Sequence, residues 1–431
     1  MIHRFLKNFS LTGVLVGRRH MSNSATVMSF GDGSHGALGL PLMAGIGSDA
    51  YEPTPISALP SDVCSIAAGH YHSLAVTSQG QVWSWGRNLE YQLGRSFDSP
   101  RDTWVEPQRI DGLSDVKSAF ASGVVSAAID VDGYLYIWGK SKRGQLGLGN
   151  GIAEAVLPKR IKVLDKEEII KVVFGWGHAL ALTKDGKLFG WGYSADGRLG
   201  KRGDTMASPL ESSANLSSSL KLADAEKLVL EAMDKENDMP IIWEPCLIDE
   251  LKGVEVADVS CGLDHTLVLL RDGTILSGGS NVYGQLGRET QDLELLPVDI
   301  SAYPVSIASG LGHSLAVCQI PSADGGGVAS GIFSWGWGQN SQLGREGPTN
   351  IPLLVDGLLG HNPLSVSGGR VHSIALTSDG EVFSWGCGRS GRLGLGSSVD
   401  EPEPMLVEFP EDTNVLQIAS GFDHNLVLTG N

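Results

Sequence analysis

A unit of about fifty residues returns along this chain, and its recurrence limits the fold more than any single side chain does. Residues 69–86, "GHYHSLAVTSQGQVWSWG", are answered by "GVVSAAIDVDGYLYIWG" from Gly123, "GWGHALALTKDGKLFGWG" from Gly175 and "GLDHTLVLLRDGTILSGG" from Gly262. The series continues with "GLGHSLAVCQIPSADGGGVASGIFSWG" from Gly310, "GRVHSIALTSDGEVFSWG" from Gly369 and "GFDHNLVLTGN" from Gly421. One column reads His72, Ser126, His178, His265, His313, His372, His424; another reads Phe30, Trp85, Trp138, Trp191, Gly278, Trp335, Trp385. A residue in either column belongs to a pattern before it belongs to any chemistry.

Each unit holds two β-branched and aromatic runs around a turn, which is Asp-Gly at 132–133, 185–186, 272–273 and 379–380. Asp-Gly accepts the positive φ of a two-residue hairpin turn, so the runs read as paired strands. Alternation puts Val82 and Ser84 on one face and Trp83 and Trp85 on the other, the mark of a half-buried strand. Loops ending in Leu-Gly follow the second run, where the leucine can fill a gap while the glycine turns the backbone. Trp85, Trp138 and Trp191 are spaced by 53 residues, and Trp335 and Trp385 by 50, room for the four strands of a propeller blade. The chain opens on the second half of a unit, "VMSFGDGSHGALG", and closes on the first half of another, "GFDHNLVLTGN". The pattern therefore predicts an all-β, seven-bladed propeller over residues 26–431, closed by pairing of its N- and C-terminal half-repeats.

Composition narrows the class. The 42% apolar content and 57 glycines suit a globular, turn-rich β protein, and no apolar run reaches the length of a membrane span. Five cysteines without a C-x-x-C pair argue against a zinc or disulfide framework and for a reducing compartment. A formal charge of −17 argues against nucleic-acid binding through net charge and leaves only a local basic patch to serve it. The first residues differ from the rest: Arg4, Lys7, Arg18 and Arg19 precede any acid, and Ile2, Phe5, Leu6 and Phe9 form a helical apolar stripe. That reads as a mitochondrial transit peptide over residues 1–25, cut near His20 to Ser22. Translation from Met21 would instead leave a nuclear or cytosolic protein.

The period breaks once. Trp191 and Gly278 are 87 residues apart, and the excess is a partly helical insertion over residues 201–243. It begins Ser-rich, and then Leu222, Ala225, Val229 and Met233 make an apolar stripe opposite Glu226, Lys227, Glu231 and Lys235. Such a stripe docks either on its own blade or on a partner, and it is the candidate partner-binding element.

Catalytic and metal readings find little footing. His72, His178, His265, His313, His372 and His424 fall one to a blade, so they cannot converge on a metal; buried imidazoles bonded to loop backbone are expected. Trp85, Trp138, Trp191, Trp335 and Trp385 share one slot and read as core. "SADGGGV", residues 322–328, lies at a hairpin turn and lacks the Gly-Lys-Ser/Thr end of a phosphate loop, so it reads as a lengthened turn. No Ser-His-Asp or Cys-His set can be assembled, so the expectation is a non-enzyme without cofactor.

The repeat H-x-L-A-L-T-x-D-G-x-V-Φ-x-W-G, followed by G-Q-L-G, resembles that of the regulator of chromosome condensation family over residues 27–431. The Trp-Asp dipeptides of other propellers are absent. The resemblance implies a seven-bladed propeller and does not imply one function. Some members exchange guanine nucleotide on a small GTPase; this chain shows an acidic body and no basic tail. The plant ultraviolet-B photoreceptor carries repeated Gly-Trp-Arg-His-Thr motifs, against a lone Gly175-Trp176-Gly177-His178 here. Organellar members are non-enzymatic scaffolds in mitochondrial transcript splicing, ribosome assembly and complex I biogenesis. The leader favours that last role, with protein partners from an RNA-processing or assembly complex; a small GTPase is the alternative partner.

Overall fold

The computed structural model describes residues 24–41, 49–96, 103–201, 240–321 and 327–430. They form seven four-stranded antiparallel sheets. The strands β1 (Ala25–Gly31) and β2 (Ala50–Pro55) come first in the chain and belong to the last blade. Blade 1 is β3 (Val63–Ala68), β4 (His72–Thr77), β5 (Val82–Arg87) and β6 (Thr103–Arg109). Blade 2 is β7 (Val116–Ser122), β8 (Val125–Asp130), β9 (Leu135–Lys140) and β10 (Glu154–Arg160). Blade 3 is β11 (Ile169–Phe174), β12 (His178–Thr183), β13 (Leu188–Tyr193) and β14 (Ile241–Leu247). Blade 4 is β15 (Val256–Cys261), β16 (His265–Leu270), β17 (Ile275–Gly279) and β18 (Leu296–Pro297). Blade 5 is β19 (Tyr303–Ser309), β20 (His313–Pro321), β21 (Val328–Gly336) and β22 (Leu353–Leu354). Blade 6 is β23 (Pro363–Gly368), β24 (His372–Thr377), β25 (Val382–Gly386) and β26 (Glu401–Val407). Blade 7 joins β27 (Asn414–Ser420) and β28 (His424–Gly430) to β1 and β2, in the order β2-β1-β28-β27.

The ring is closed as the half-repeats predict. β1 pairs along its length with β28, from Ala25 opposite Gly430 to Gly31 opposite His424, so the propeller begins one residue before the expected boundary. The cores lie between blades instead of within them: Val27 and Leu428 of blade 7 pack in one cluster with Val63, Ile66 and Trp85 of blade 1. This stacking corrects the half-buried reading of the strands. β4, β8, β12 and β24 are buried at every residue, and in β5 only Trp83 among Val82 to Trp85 is partly exposed. Each blade has a neighbour on both faces, so both faces of these inner strands are covered, while outer strands such as β10 and β26 keep exposed residues.

The hairpin turns also differ from the two-residue form. Thr77 N–H donates to Gln81 O and Gly80 N–H to Thr77 O, both at 2.9 Å, enclosing three loop residues. Only the glycine has positive φ, +73° at Gly80 and +85° at Gly133, and the preceding Gln or Asp stays right-handed. That is a type I turn with a glycine bulge. β20 and β21 pair as a hairpin out to Pro321 and Val328, and residues 322–326 of the Gly-rich stretch lie outside the described residues. The leader residues 1–23 and the stripe of Leu222, Ala225, Val229 and Met233 lie outside the described residues. No helix among the described residues is long and apolar enough to cross a membrane.

Candidate functional site

Six blades open their second strand on a buried histidine, and each Nε2 meets a side chain of the next blade. His72 reaches Ser126 Oγ at 2.7 Å, His178 Thr266 Oγ1 at 3.0 Å and His265 Ser314 Oγ at 3.0 Å. His313 reaches Ser373 Oγ, His372 Asn425 Oδ1 and His424 Ser73 Oγ, each at 2.9 Å. These partners share one slot, opposite the tryptophan column, as Ser73 is opposite Trp85 and Ser373 opposite Trp385. Each also donates to a loop carbonyl of the preceding blade: Ser73 to Ala37, Ser126 to Gln92, Thr266 to Arg198, Ser314 to Gln285, Ser373 to Gln342 and Asn425 Nδ2 to Arg392. A hydroxyl has one proton, so the network assigns the imidazole as donor from Nε2. The indole N–H of Trp85, Trp138, Trp335 and Trp385 reaches the same carbonyls. The expected bond from imidazole to loop backbone is thus corrected: a side chain of the next blade stands between them.

Burial holds these rings neutral. It pushes the pKa of His72, His265, His313 and His372 down to about 3, that of His424 to about 4, and that of His178 well below the usual range. Burial likewise pushes the Cys261 and Cys318 thiols up to about 12, which removes their thiolate nucleophiles at neutral pH.

The boundary between blades 2 and 3 is built differently. Val125, not Ser126, occupies the histidine slot of blade 2, because Val125 pairs with Gly139 as His72 pairs with Gly86. Ser126 belongs to the acceptor column. Ser122 takes the place of the slot glycines such as Gly69 and Gly369, where a Cβ would overlap the imidazole Cε1. Ala179 takes the acceptor slot on blade 3.

Two boundaries add an ion pair. Arg198 donates to Asp264 across blades 3 and 4 at 2.8 Å, and Arg392 pairs with Asp423 across blades 6 and 7 at 2.7 Å. In both, the arginine of an R-L-G loop meets the aspartate just before the next histidine. Both guanidiniums are buried, Arg198 also resting 4.7 Å from the Tyr193 ring centroid.

All loops joining first to second and third to fourth strands leave the same end of an antiparallel blade, so they share one face of the ring. At its centre the axial channel opens between His70, Trp176, Leu263, Leu311, Arg370 and Phe422, over a lining rich in glycine backbone. Backbone bonds pass round this rim, among them Trp176 N–H to Leu263 O at 2.7 Å and Leu263 N–H to Leu311 O at 2.9 Å. His70 lies 4.5 Å from Phe422 between ring centroids, and Tyr71 4.5 Å from His35. Arg370 sits 4.7 Å over Phe422, Arg87 5.1 Å over Tyr71 and Arg143 5.4 Å over Trp176. Trp176 is 48% exposed; across the face Tyr283, 50% exposed, stacks on Trp337. Exposed Trp176 beside half-buried Arg143, with exposed Tyr283 elsewhere on the face, matches the residue types of protein-binding hot spots.

The RCC1-like domain family matches residues 26–427. The chain belongs to that family. It is 28% identical over 380 residues to the ultraviolet-B receptor UVR8 of Arabidopsis thaliana, covering 87% of this chain and 76% of the receptor. It is 31% identical over 334 residues to the mitochondrial RCC1 domain-containing protein RUG3 of Arabidopsis thaliana, covering 73% of this chain and 64% of RUG3. The crystal structure of Prp20p from Saccharomyces cerevisiae, a protein characterised for binding Gsp1p and histones, shares the fold with a TM-score of 0.74. That likeness has 23% identity and covers 95% of this chain and 93% of Prp20p.

Within this RCC1-like ring, the six predicted histidines and the tryptophans Trp85, Trp138, Trp191, Trp335 and Trp385 are all buried at blade boundaries, apart from one another and from solvent. Among the described residues, no three or more His, Cys, Asp or Glu side chains gather to hold a metal. Sequence reading missed the acceptor column, the Arg–Asp boundaries and the aromatic rim. The signal for the second was present: R-L-G at 198 and 392 is followed by Asp-His in the next unit, whereas Q-L-G never is.

Proposed function

We propose that this RCC1-like chain is a non-enzymatic protein-interaction scaffold of mitochondria, supporting transcript processing or splicing, ribosome assembly or complex I biogenesis. The aromatic and arginine rim around the channel mouth carries the interaction reading: it exposes Trp176 among half-buried rings and guanidiniums, is held in place by stacking, and is composed as binding surfaces are. The basic, acid-free leader and the likeness to mitochondrial RUG3 support the compartment. The insertion joins β13 to β14, the same class of loop, and is read as a second contact for that face; the structure assigns 241–243 of its expected span to β14.

The test is affinity purification of the tagged chain from isolated mitochondria after mild crosslinking. The expected result is enrichment of RNA-processing or assembly proteins, weakened by Trp176→Ala with Tyr283→Ala and by excision of residues 204–238, with the ring still folded. Recovery outside mitochondria would defeat the compartment. Recovery of a single GTPase whose nucleotide release the chain accelerates by orders of magnitude would establish exchange instead.

A further inference from the structure

Two buried arginines of the channel-mouth face take carboxylates from the chain itself: Arg198 from Asp196 and Asp264, and Arg392 from Asp423. Arg143, in the loop of blade 2, has no such pair among the described residues. That loop reads Lys140-Ser141-Lys142-Arg143, with no acid between Asp132 and Glu154. The Arg143 guanidinium lies 5.4 Å from the Trp176 ring centroid and 6.0 Å from that of Tyr193, and among the described residues no carboxylate pairs with it. The position that supplies the aspartate at the other two boundaries is Gly177 here, and a Cβ on it would stand 3.0 Å from Arg143 Cδ. Lys140 adds a second cation, 5.9 Å over the Tyr91 ring, whose 3.5 Å pair with half-exposed Glu154 is weakened by solvent.

We infer that this strip, from Lys140 to Trp176, docks an acidic segment of a protein partner that also carries an aromatic side chain. The inference rests on the face being a protein-binding surface, and it names the chemistry of what binds. The partner's carboxylate, approaching from solvent, neutralises Arg143 as Asp264 and Asp423 neutralise Arg198 and Arg392. A guanidinium already stacked on a ring offers its fork to a carboxylate with little ordering left to do. The exposed half of the Trp176 indole then covers the partner's aromatic side chain. The −17 charge of the chain does not forbid this, because salt at physiological strength screens beyond about 8 Å and leaves the local cations to decide. A long polyanion fits less well, since it would cross Glu90, Asp196, Asp264 and Asp423 on the same face.

Fluorescence anisotropy of a labelled peptide of three Glu-Glu-Phe repeats with the full chain tests the assignment. Saturable binding is expected, at least tenfold tighter than for the Gln-Gln-Phe counterpart and weaker at high salt. Arg143→Ala and Trp176→Ala should each weaken it at least tenfold with unchanged melting temperature, and Arg143→Lys should restore part. Equal binding of the glutamine peptide, or unchanged binding by both alanine variants, overturns the assignment. So does tighter binding of a nine-nucleotide uridine RNA, or a peptide affinity that rises on excision of residues 204–238, which would give the strip to the chain's own acidic segment. If the peptide fails while the mitochondrial partners are still captured, this assignment falls and the scaffold reading stands; failure to capture those partners sinks the scaffold reading.

Discussion

Val125 and Ala179, buried in one hydrophobic cluster, take at the boundary of blades 2 and 3 the two positions that the other six boundaries give to a histidine and its hydroxyl or amide partner. The pair shows that the polar link is a matched unit. An imidazole without the hydroxyl, or a hydroxyl aimed at valine, would leave a buried polar atom unpaired, whereas two apolar residues leave none.

That matching predicts the energetics of the histidine in blade 1. His72→Val or Ser126→Ala alone should cost about 1–3 kcal/mol, because each strands its partner in the core. Together they should cost less than the sum by about 1 kcal/mol, since the double variant copies the boundary of blades 2 and 3. Urea unfolding of the four proteins measures the coupling. Strict additivity would show that the bond between His72 and Ser126 contributes nothing of its own.

The periodic elements of this ring were legible because each strand pair and its turn recur at fixed offsets, and the tryptophan column, including the vacancy at Gly278, was placed correctly. The histidine column slipped by one in blade 2. There Gly123 stands one position after Ser122, which holds the slot that other blades give to glycine, and imitates it, which drew Ser126 into alignment with His72. The acceptor column was invisible for another reason. Ser, Thr and Asn share no pattern, and what unites them is a histidine partner 49 to 88 residues away at five boundaries and 351 at the closure. The rim of Tyr71, Trp176 and Phe422 obeys no period, because loop residues on a fixed core are free to differ from blade to blade.

Acid should loosen the ring. The six buried imidazoles bind protons in the unfolded chain near pH 6.5, but five of them only at about 3 to 4 when folded, and burial holds His178 well below its ordinary value. Above pH 6.5 neither state is protonated and the rings make no difference. Below it the unfolded state gains protons that the folded state refuses, so stability falls as pH drops. At pH 5.5 the loss is on the order of 1 kcal/mol for each ring and several times that for six. The melting temperature should therefore fall steeply from pH 7 to pH 5, and the His72→Val/Ser126→Ala variant should show a shallower slope by about one proton. A flat profile over that range would contradict neutral, proton-refusing imidazoles.

Arg392 and Asp423 permit a test by transplant. Both side chains are largely out of water, and burial raises the Asp423 carboxyl while Arg392 and Arg370 pull it back. Asp423→Asn should cost about 3–5 kcal/mol, because it leaves the Arg392 charge buried beside a neutral amide. Replacing the pair by Arg392→Gln with Asp423→Val, the residues that Gln342 and Val371 supply at the next boundary round, should restore most of it. Thermal melts of the three proteins decide. A double variant no better than Asp423→Asn would show that the loop has adapted to arginine beyond the ion pair.

Closure gives the last prediction. β28 is an inner strand of blade 7, bonded to β1 on one side and β27 on the other, and it carries His424 to Ser73 and Phe422 N–H to Gly69 O across to blade 1. Deleting residues 421–431 would strip β1 of the strand it pairs with from Ala25 to Gly31 and open the cluster that buries Val27, Ile66 and Trp85. Since the cores lie between blades, the damage should reach blade 1 and blade 6 as well as blade 7, lowering the melting temperature and broadening the transition. Hydrogen exchange should report it as lost protection in β1 and β3 together. Protection and melting unchanged by the truncation would mean that the ring does not depend on its seam.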